Sequence, residues 1–174
     1  MYKICKTTKS EMRQNEFQET LLRMLKKQKM KDITIVSLCQ EMGISRKTFY
    51  QYFDTIEDVL YVIVDRELRN GFLLLELDPE IEGFFDFWKK DKWLLDLLEK
   101  NEMSQLLVER SYSNAFSNGK VESDVLLMKQ AGWISAIITV LIMWHHGGMT
   151  QSTAEMQDLI FSMFHIDYSK MNKK

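Results

Sequence analysis

Proline is almost absent from this chain. One in 174 residues leaves long helices unbroken and argues against a turn-rich β fold. Glycine is scarce as well, at seven. The two cysteines, Cys5 and Cys39, form no CxxC pair. That excludes a disulfide framework and points to a reducing, cytoplasmic location. The first residues are polar and lysine-bearing with no apolar stretch, so no signal peptide is expected. The most apolar run, Ala131–Trp144, has 14 residues and includes Ser135 and Thr139. A spanning helix needs roughly 20, so a buried helix is expected and no membrane partner. Histidines number three, His145, His146 and His165. The first two are adjacent, point to different sides of a helix and make poor joint ligands. HExxH, GxSxG and P-loop glycine runs are missing. No enzyme, metal site or cofactor is expected.

What is present is a soluble, globular composition, 45% hydrophobic and 28% charged. Twelve Met and ten Phe suggest a bulky, adaptable interior. The net charge of −2 hides an asymmetry. Residues 1–55 hold 11 Lys+Arg against 6 Asp+Glu, a balance of +5. Residues 56–174 hold 12 against 19, a balance of −7. A basic front on an acidic body fits a DNA-facing domain joined to one that is not.

The front contains the most informative stretch, residues 34–53, TIVSLCQEMGISRKTFYQYF. Thr34 can cap a helix beginning at Ile35. Val36, Leu38, Cys39 and Met42 then supply an apolar face. Gly43 follows where a left-handed backbone suits glycine, and Ile44 tucks into the turn. Ser45 can cap a second short helix whose buried stripe is Phe49 and Phe53. Its other faces carry Arg46, Lys47, Thr48, Tyr50, Gln51 and Tyr52. This layout predicts a helix-turn-helix with its second helix in a DNA groove. Arg and Lys neutralise phosphates and donate to guanine; Gln pairs with adenine; a Thr methyl meets a thymine methyl. Tyr hydroxyls hold phosphates. The candidates for base-edge contact are Arg46, Lys47, Thr48 and Gln51. Those for phosphate are Thr34, Ser45, Tyr50 and Tyr52. The plain alternative is an ordinary polar helix face.

The same residues resemble the DNA-binding region of the TetR family of transcriptional regulators. The matching positions are Thr34, Ile35, Leu38, Cys39, Met42, Gly43, Ile44, Ser45, Thr48, Phe49, Tyr50 and Phe53, followed by Glu57, Asp58 and Leu60. The family often places a phosphate-contacting lysine at the start of the fourth helix. Ile56 stands at or near that position here. Cys39 replaces a common alanine.

The remaining pattern is helical. Ser10 to about Gln28 reads as a first helix with Phe17, Leu21, Met24 and Leu25 on one stripe and Lys26, Lys27 and Lys29 at its end. Asp54 or Thr55 can cap a fourth helix to about Leu75 along Leu60, Val64 and Leu68. Asp78-Pro79-Glu80 breaks the chain before a fifth, with a bend at 89–92. A sixth is expected over Glu102–Phe116, ending in the turn at 117–119. Ser123 can cap a long apolar helix to His146, and a last one runs over about Thr153–Phe164. The expected fold class is all-α with about nine helices. An N-terminal three-helix helix-turn-helix domain (1–55) precedes a helical domain for dimerisation and effector binding (56–174).

Two further sites are expected in the body. Phe84, Phe87, Trp88, Trp93, Met103, Leu107 and Tyr112 are candidates to line an apolar pocket. The resemblance implies that a small apolar or aromatic effector binds in this region. The helix at 123–146 is apolar nearly all round and needs burial on both faces. Gly132, Trp133, Ala136, Ile137, Val140, Leu141 and Trp144, with Leu159, Ile160, Met163 and Phe164, are candidates for a dimer interface. The resemblance implies a homodimer through the last two helices. The expected function is therefore a DNA-binding transcriptional regulator, a repressor released from a pseudo-palindromic double-stranded operator by an effector. The rival is a TetR-like, protein-binding coactivator without operator binding, which Ile56 favours.

Overall fold

A computed structural model describes residues 2–3, 7–77, 80–117 and 124–164. The breaker at 78–79, the turn at 118–119, the cap at Ser123, Cys5 and His165 lie outside them. Among the described residues there are nine α-helices, one 3-10 turn and no strand. The helices are α1 (Thr8–Leu25), α2 (Ile35–Glu41), α3 (Arg46–Phe49), α4 (Glu57–Leu77), α5 (Glu82–Lys90), α6 (Trp93–Lys100), α7 (Leu106–Ser117), α8 (Asp124–His146) and α9 (Thr153–Met163). The 3-10 turn covers Met30–Asp32. The fold is all-α.

The chain divides into two compact units, Met1–Glu67 with Glu99–Met103, and Leu68–Leu98 with Ser104–Lys174. The division passes through α4, and the first unit takes its last piece from the turn after α6.

In the first unit the caps set the helix starts. Thr7 caps α1, its hydroxyl accepting from the Ser10 N–H while Ser10 answers to Thr7. The helix therefore begins at Thr8, two residues before the expected start at Ser10, and Ser10 is its third residue. The helix also ends at Leu25, so Lys26, Lys27 and Lys29 lie beyond it. Phe17, Leu21 and Leu25 face inward, with Leu38, Phe49, Phe53 and Leu60 from α2 to α4. Three rings meet at the centre: Phe17 lies edge-on to Phe49 at 5.6 Å and to Phe53 at 5.4 Å. Such pairs contribute about 0.5–1.5 kcal/mol beyond the burial of their area.

The start of α4 is held by Asp58. Its carboxylate accepts the N–H groups of Asp54 (3.1 Å) and Thr55 (3.0 Å), and the Asp58 N–H donates to the Thr55 hydroxyl. Burial alone would raise this carboxyl; the hydrogen bonds donated to it, those backbone groups among them, hold it below the usual carboxylate range. Further along α4, Arg66 donates to Gln18 at 3.0 Å and joins α4 to α1. The turn after α6 closes the unit from the far side. Asn101 accepts the Met30 N–H at 2.8 Å, and Lys29 pairs with Glu102 at 3.4 Å. Glu102 has φ 61, in the left-handed region that non-glycine residues rarely occupy. That reversal is why α7 begins at Leu106, not at the expected Glu102.

In the second unit α5 packs on α9, α7 on α8, and α8 on α9. The expected fifth helix is two helices: Asp91, at φ −134 and ψ 79, breaks the chain between α5 and α6. The α5–α9 contact is tied by Thr153, which donates to Glu82 at 3.0 Å, and by the Glu82 N–H, which donates to Gln157 at 3.0 Å. Ser152 and Glu155 form a reciprocal cap on α9. His145 Nε2 lies 2.7 Å from Asp96, linking α8 to α6. Phe84, Phe85 and Trp88 are fully buried, and Phe85 meets Trp144 edge-on at 5.6 Å.

Candidate nucleic-acid interface

Two short helices and a glycine turn build the site. Thr34 has extended backbone angles, and its hydroxyl accepts the Ser37 N–H at 3.1 Å. Ser37 answers by accepting from the Thr34 N–H at 2.9 Å. With two orphan donors satisfied, α2 starts at Ile35 as expected. Leu38 and Cys39 are buried, but Val36 is 45% exposed. Val36 falls on the solvent side of α2 and is not part of the apolar face expected for it. Gly43 has φ +64, so the chain turns through a conformation that costs other residues roughly 1–2 kcal/mol. Ile44 is only half-buried.

Ser45 then caps α3, its hydroxyl accepting the Thr48 N–H at 3.2 Å. The helix itself is shorter than expected. It covers Arg46–Phe49, and Tyr50–Tyr52 continue as turns. The Tyr52 N–H and the Phe53 N–H both donate to the Phe49 carbonyl, which tightens the chain and carries Phe53 back to the core. Phe49 and Phe53 are completely buried, as their spacing predicts.

The eight polar candidates divide by exposure. Thr34, Ser45, Arg46, Lys47, Tyr50 and Gln51 are exposed; Thr48 and Tyr52 are half-buried. Arg46 and Lys47 are exposed and form no ion pair among the described residues. The α1 arginines differ. Arg13 pairs with Glu16 at 2.6 Å and Arg23 with Glu41 at 3.5 Å, lining a polar surface depression of about 230 Å³ between α1 and α2. Tyr52 rests its ring on Phe17 at 5.6 Å, so its body belongs to the core and only its edge to the surface. Burial pushes the Cys39 thiol up, against a smaller opposing pull from Arg46, and it stays neutral at pH 7. Ile56 is buried at 9% exposure. Its side chain packs inward and offers nothing to a phosphate. Lys26, Lys27 and Lys31 are exposed beside the unit, without ion pairs among the described residues.

Residues 18–71, from within α1 to within α4, match the family model of an HTH domain. The chain carries a helix-turn-helix DNA-binding domain. This is the class of domain found in DNA-binding transcription regulators, and the match covers just under a third of the sequence. No curated protein matches the chain. The helix-turn-helix thus stands on the family match and on the caps, the glycine turn and the buried Phe49–Phe53 stripe. Three residues that position it carry no signal in the sequence pattern: Tyr2, Lys3 and Asp65. Tyr2 and Lys3 act on partners 63 and 47 residues away, beyond the reach of any local periodicity.

The other two groups of candidates lie in the body. Phe84, Trp88 and Leu107 are buried, while Phe87, Trp93, Met103 and Tyr112 are half-buried. Tyr112 hydrogen-bonds Ser135. Met103 belongs to the first unit and the other six to the second. On the last two helices, Ile137, Leu141, Trp144 and Ile160 are buried within the single chain. Trp133, Ala136 and Val140 are half-buried, and Gly132 is exposed with open space beside it. Leu159, Met163 and Phe164 are exposed. The exposed face of α8 carries Val125, Met128, Gly132, Thr139 and Met143, at steps of three, four, seven and four residues. Val125, Met128 and Met143 are each more than 60% exposed.

Proposed function

We propose that the protein is a homodimeric transcription regulator of the TetR type, a repressor released from a pseudo-palindromic operator by a small effector. One observation carries the reading: Arg46, Lys47 and Gln51 project from a capped turn whose opposite side is locked into the core by Phe49 and Phe53. A rigid base beneath free cationic and amide side chains is what base-edge reading requires. In this reading residues 1–55 bind DNA in the cytoplasm, and 56–174 dimerise and receive an effector among the aromatic side chains of α5 to α7. Arg46, Lys47, Thr48 and Gln51 read bases, and Thr34, Ser45, Tyr50 and Tyr52 hold phosphates.

The test is selection of duplexes from a random pool by the full-length chain. A pseudo-palindrome with half-sites about one helical turn apart is the expected product. With that duplex, Arg46→Ala is expected to cost about 1–3 kcal/mol of specific affinity and to relax preference at one position. Equal loss on scrambled DNA reduces Arg46 to a phosphate contact. No enrichment at low salt, with the dimer intact, sinks the repressor reading.

Support for the homodimer comes from the free face of α8. A soluble chain rarely exposes a row of Met and Val along one helix without a partner. The small residues Gly132 and Ala136 on this helix allow a close approach. Leu159, Met163 and Phe164 of α9 extend the apolar surface. Ile137, Leu141, Trp144 and Ile160 support this face from within. Met143→Glu places a charge there without touching the core, and sedimentation is expected to show monomers. A dimer of unchanged affinity would move the interface elsewhere.

The second reading is a protein-binding coactivator of the same fold. Ile56 favours it, because a buried isoleucine stands where the family often presents a lysine. The selection experiment decides between the two.

A further inference from the structure

We infer that the N-terminal pair Tyr2–Lys3 is a strap that holds the recognition turn in its reading position, with Lys3 as a positioning residue. A four-residue helix has no stability of its own, since a helix this short barely completes its nucleus. Its final carbonyls have no continuing helix to accept from. The turn that follows it presents two further carbonyls, on Tyr50 and Tyr52, that flank Gln51. Lys3 takes both: its ammonium donates to the Tyr50 carbonyl at 2.6 Å, and its backbone N–H donates to the Tyr52 carbonyl at 3.0 Å. A cation at the carbonyl end of a helix is also the favourable sign for the helix dipole.

The strap is fastened on both sides. The Gln14 amide of α1 donates to the Lys3 carbonyl at 3.2 Å. The Tyr2 hydroxyl donates to the Asp65 carboxylate of α4 at 2.6 Å. Asp65 is 1% exposed, and a buried carboxylate holds its donors strongly. Two residues thus tie α1, the turn after α3 and α4 together. Because the Lys3 ammonium is committed to a carbonyl, its effect on DNA runs through Gln51 and Tyr50. That last step rests on the DNA-binding reading; the mechanical step does not.

Lys3→Met and Lys3→Arg in the full-length chain test both steps. The first readout is amide exchange in the free protein. Lys3→Met is expected to speed exchange at Gln51, Tyr52 and Phe53 about tenfold, the scale of one charge-assisted hydrogen bond, with Leu38 in α2 unchanged. Lys3→Arg is expected to restore most of the protection. The second readout is affinity for the selected duplex across a salt series. Lys3→Met is expected to weaken binding by about tenfold with the slope of log K against log salt unchanged. Unchanged exchange at 51–53 overturns the strap whether or not DNA is bound. Faster exchange with undiminished affinity overturns the positioning role. A slope reduced by about 0.9 shows a direct phosphate contact instead. If the wild-type chain binds no duplex, the DNA reading fails alone and the exchange data still decide the strap.

Discussion

Replacing Phe49 with alanine is expected to remove about 3–5 kcal/mol of stability, the usual cost of emptying a fully buried ring site. Phe49 has no exposed surface and touches Phe17, Tyr50 and Phe53 through its ring. Truncation therefore removes the buried apolar area and leaves a cavity among rings too rigid to collapse into it. Domains of this kind have roughly 5–15 kcal/mol in total, so the substitution is expected to remove a large share of the unit's stability. Denaturant unfolding followed by circular dichroism gives the number. Tyr50 is the control: it is the next residue, 49% exposed, and Tyr50→Ala is expected to change stability by under 1 kcal/mol. A small effect at Phe49, or equal effects at both, would mean that the three-ring centre does not hold the unit together.

The second large effect has an unusual sign. Glycine to alanine inside a helix normally gains about 1 kcal/mol. At Gly71 in α4 a Cβ would stand 2.9 Å from Trp88 Nε1 and 3.3 Å from Phe84 Cε2. Both rings are fully buried, and Phe84 is stacked on Phe72 at 5.9 Å. Neither can swing out of the way. Overpacking costs typically 1–3 kcal/mol, which outweighs the propensity gain. Gly71→Ala is thus expected to destabilise, and Gly71→Leu to cost roughly 3 kcal/mol by the same mechanism. A thermal melt of Gly71→Ala above that of the wild type would show that Trp88 has room to move.

The parts legible in the sequence were those settled within a few residues. Thr34, Ser45 and Gly43 act on their immediate neighbours, so the start of α2, the cap of α3 and the turn between them follow from residue type alone. The start of α9 at Thr153 is of the same kind. What escaped was decided at a distance. The length of α3 depends on Tyr52 folding its ring onto Phe17, 35 positions earlier. The break before α7 sits at Glu102, a residue that advertises no turn. In α8, Ile137 and Met143 look alike in sequence; α7 and α9 cover one and leave the other bare. Lys3 offered only a positive charge near the terminus, and its two carbonyl partners lie beyond any repeat or motif.

The Asn101–Glu102 turn has a consequence for how the protein can be dissected. The helix-turn-helix unit draws on chain from both before and after residues 68–98. A fragment that stops at Glu67 keeps α1 to α3 and the first half of α4 yet loses the Asn101 acceptor for the Met30 N–H and the Glu102 partner of Lys29. The unit is compact in space and interrupted in sequence, so no single cut releases it whole. Any swap of this reading head onto another body has to bring the α6–α7 turn along as a separate graft.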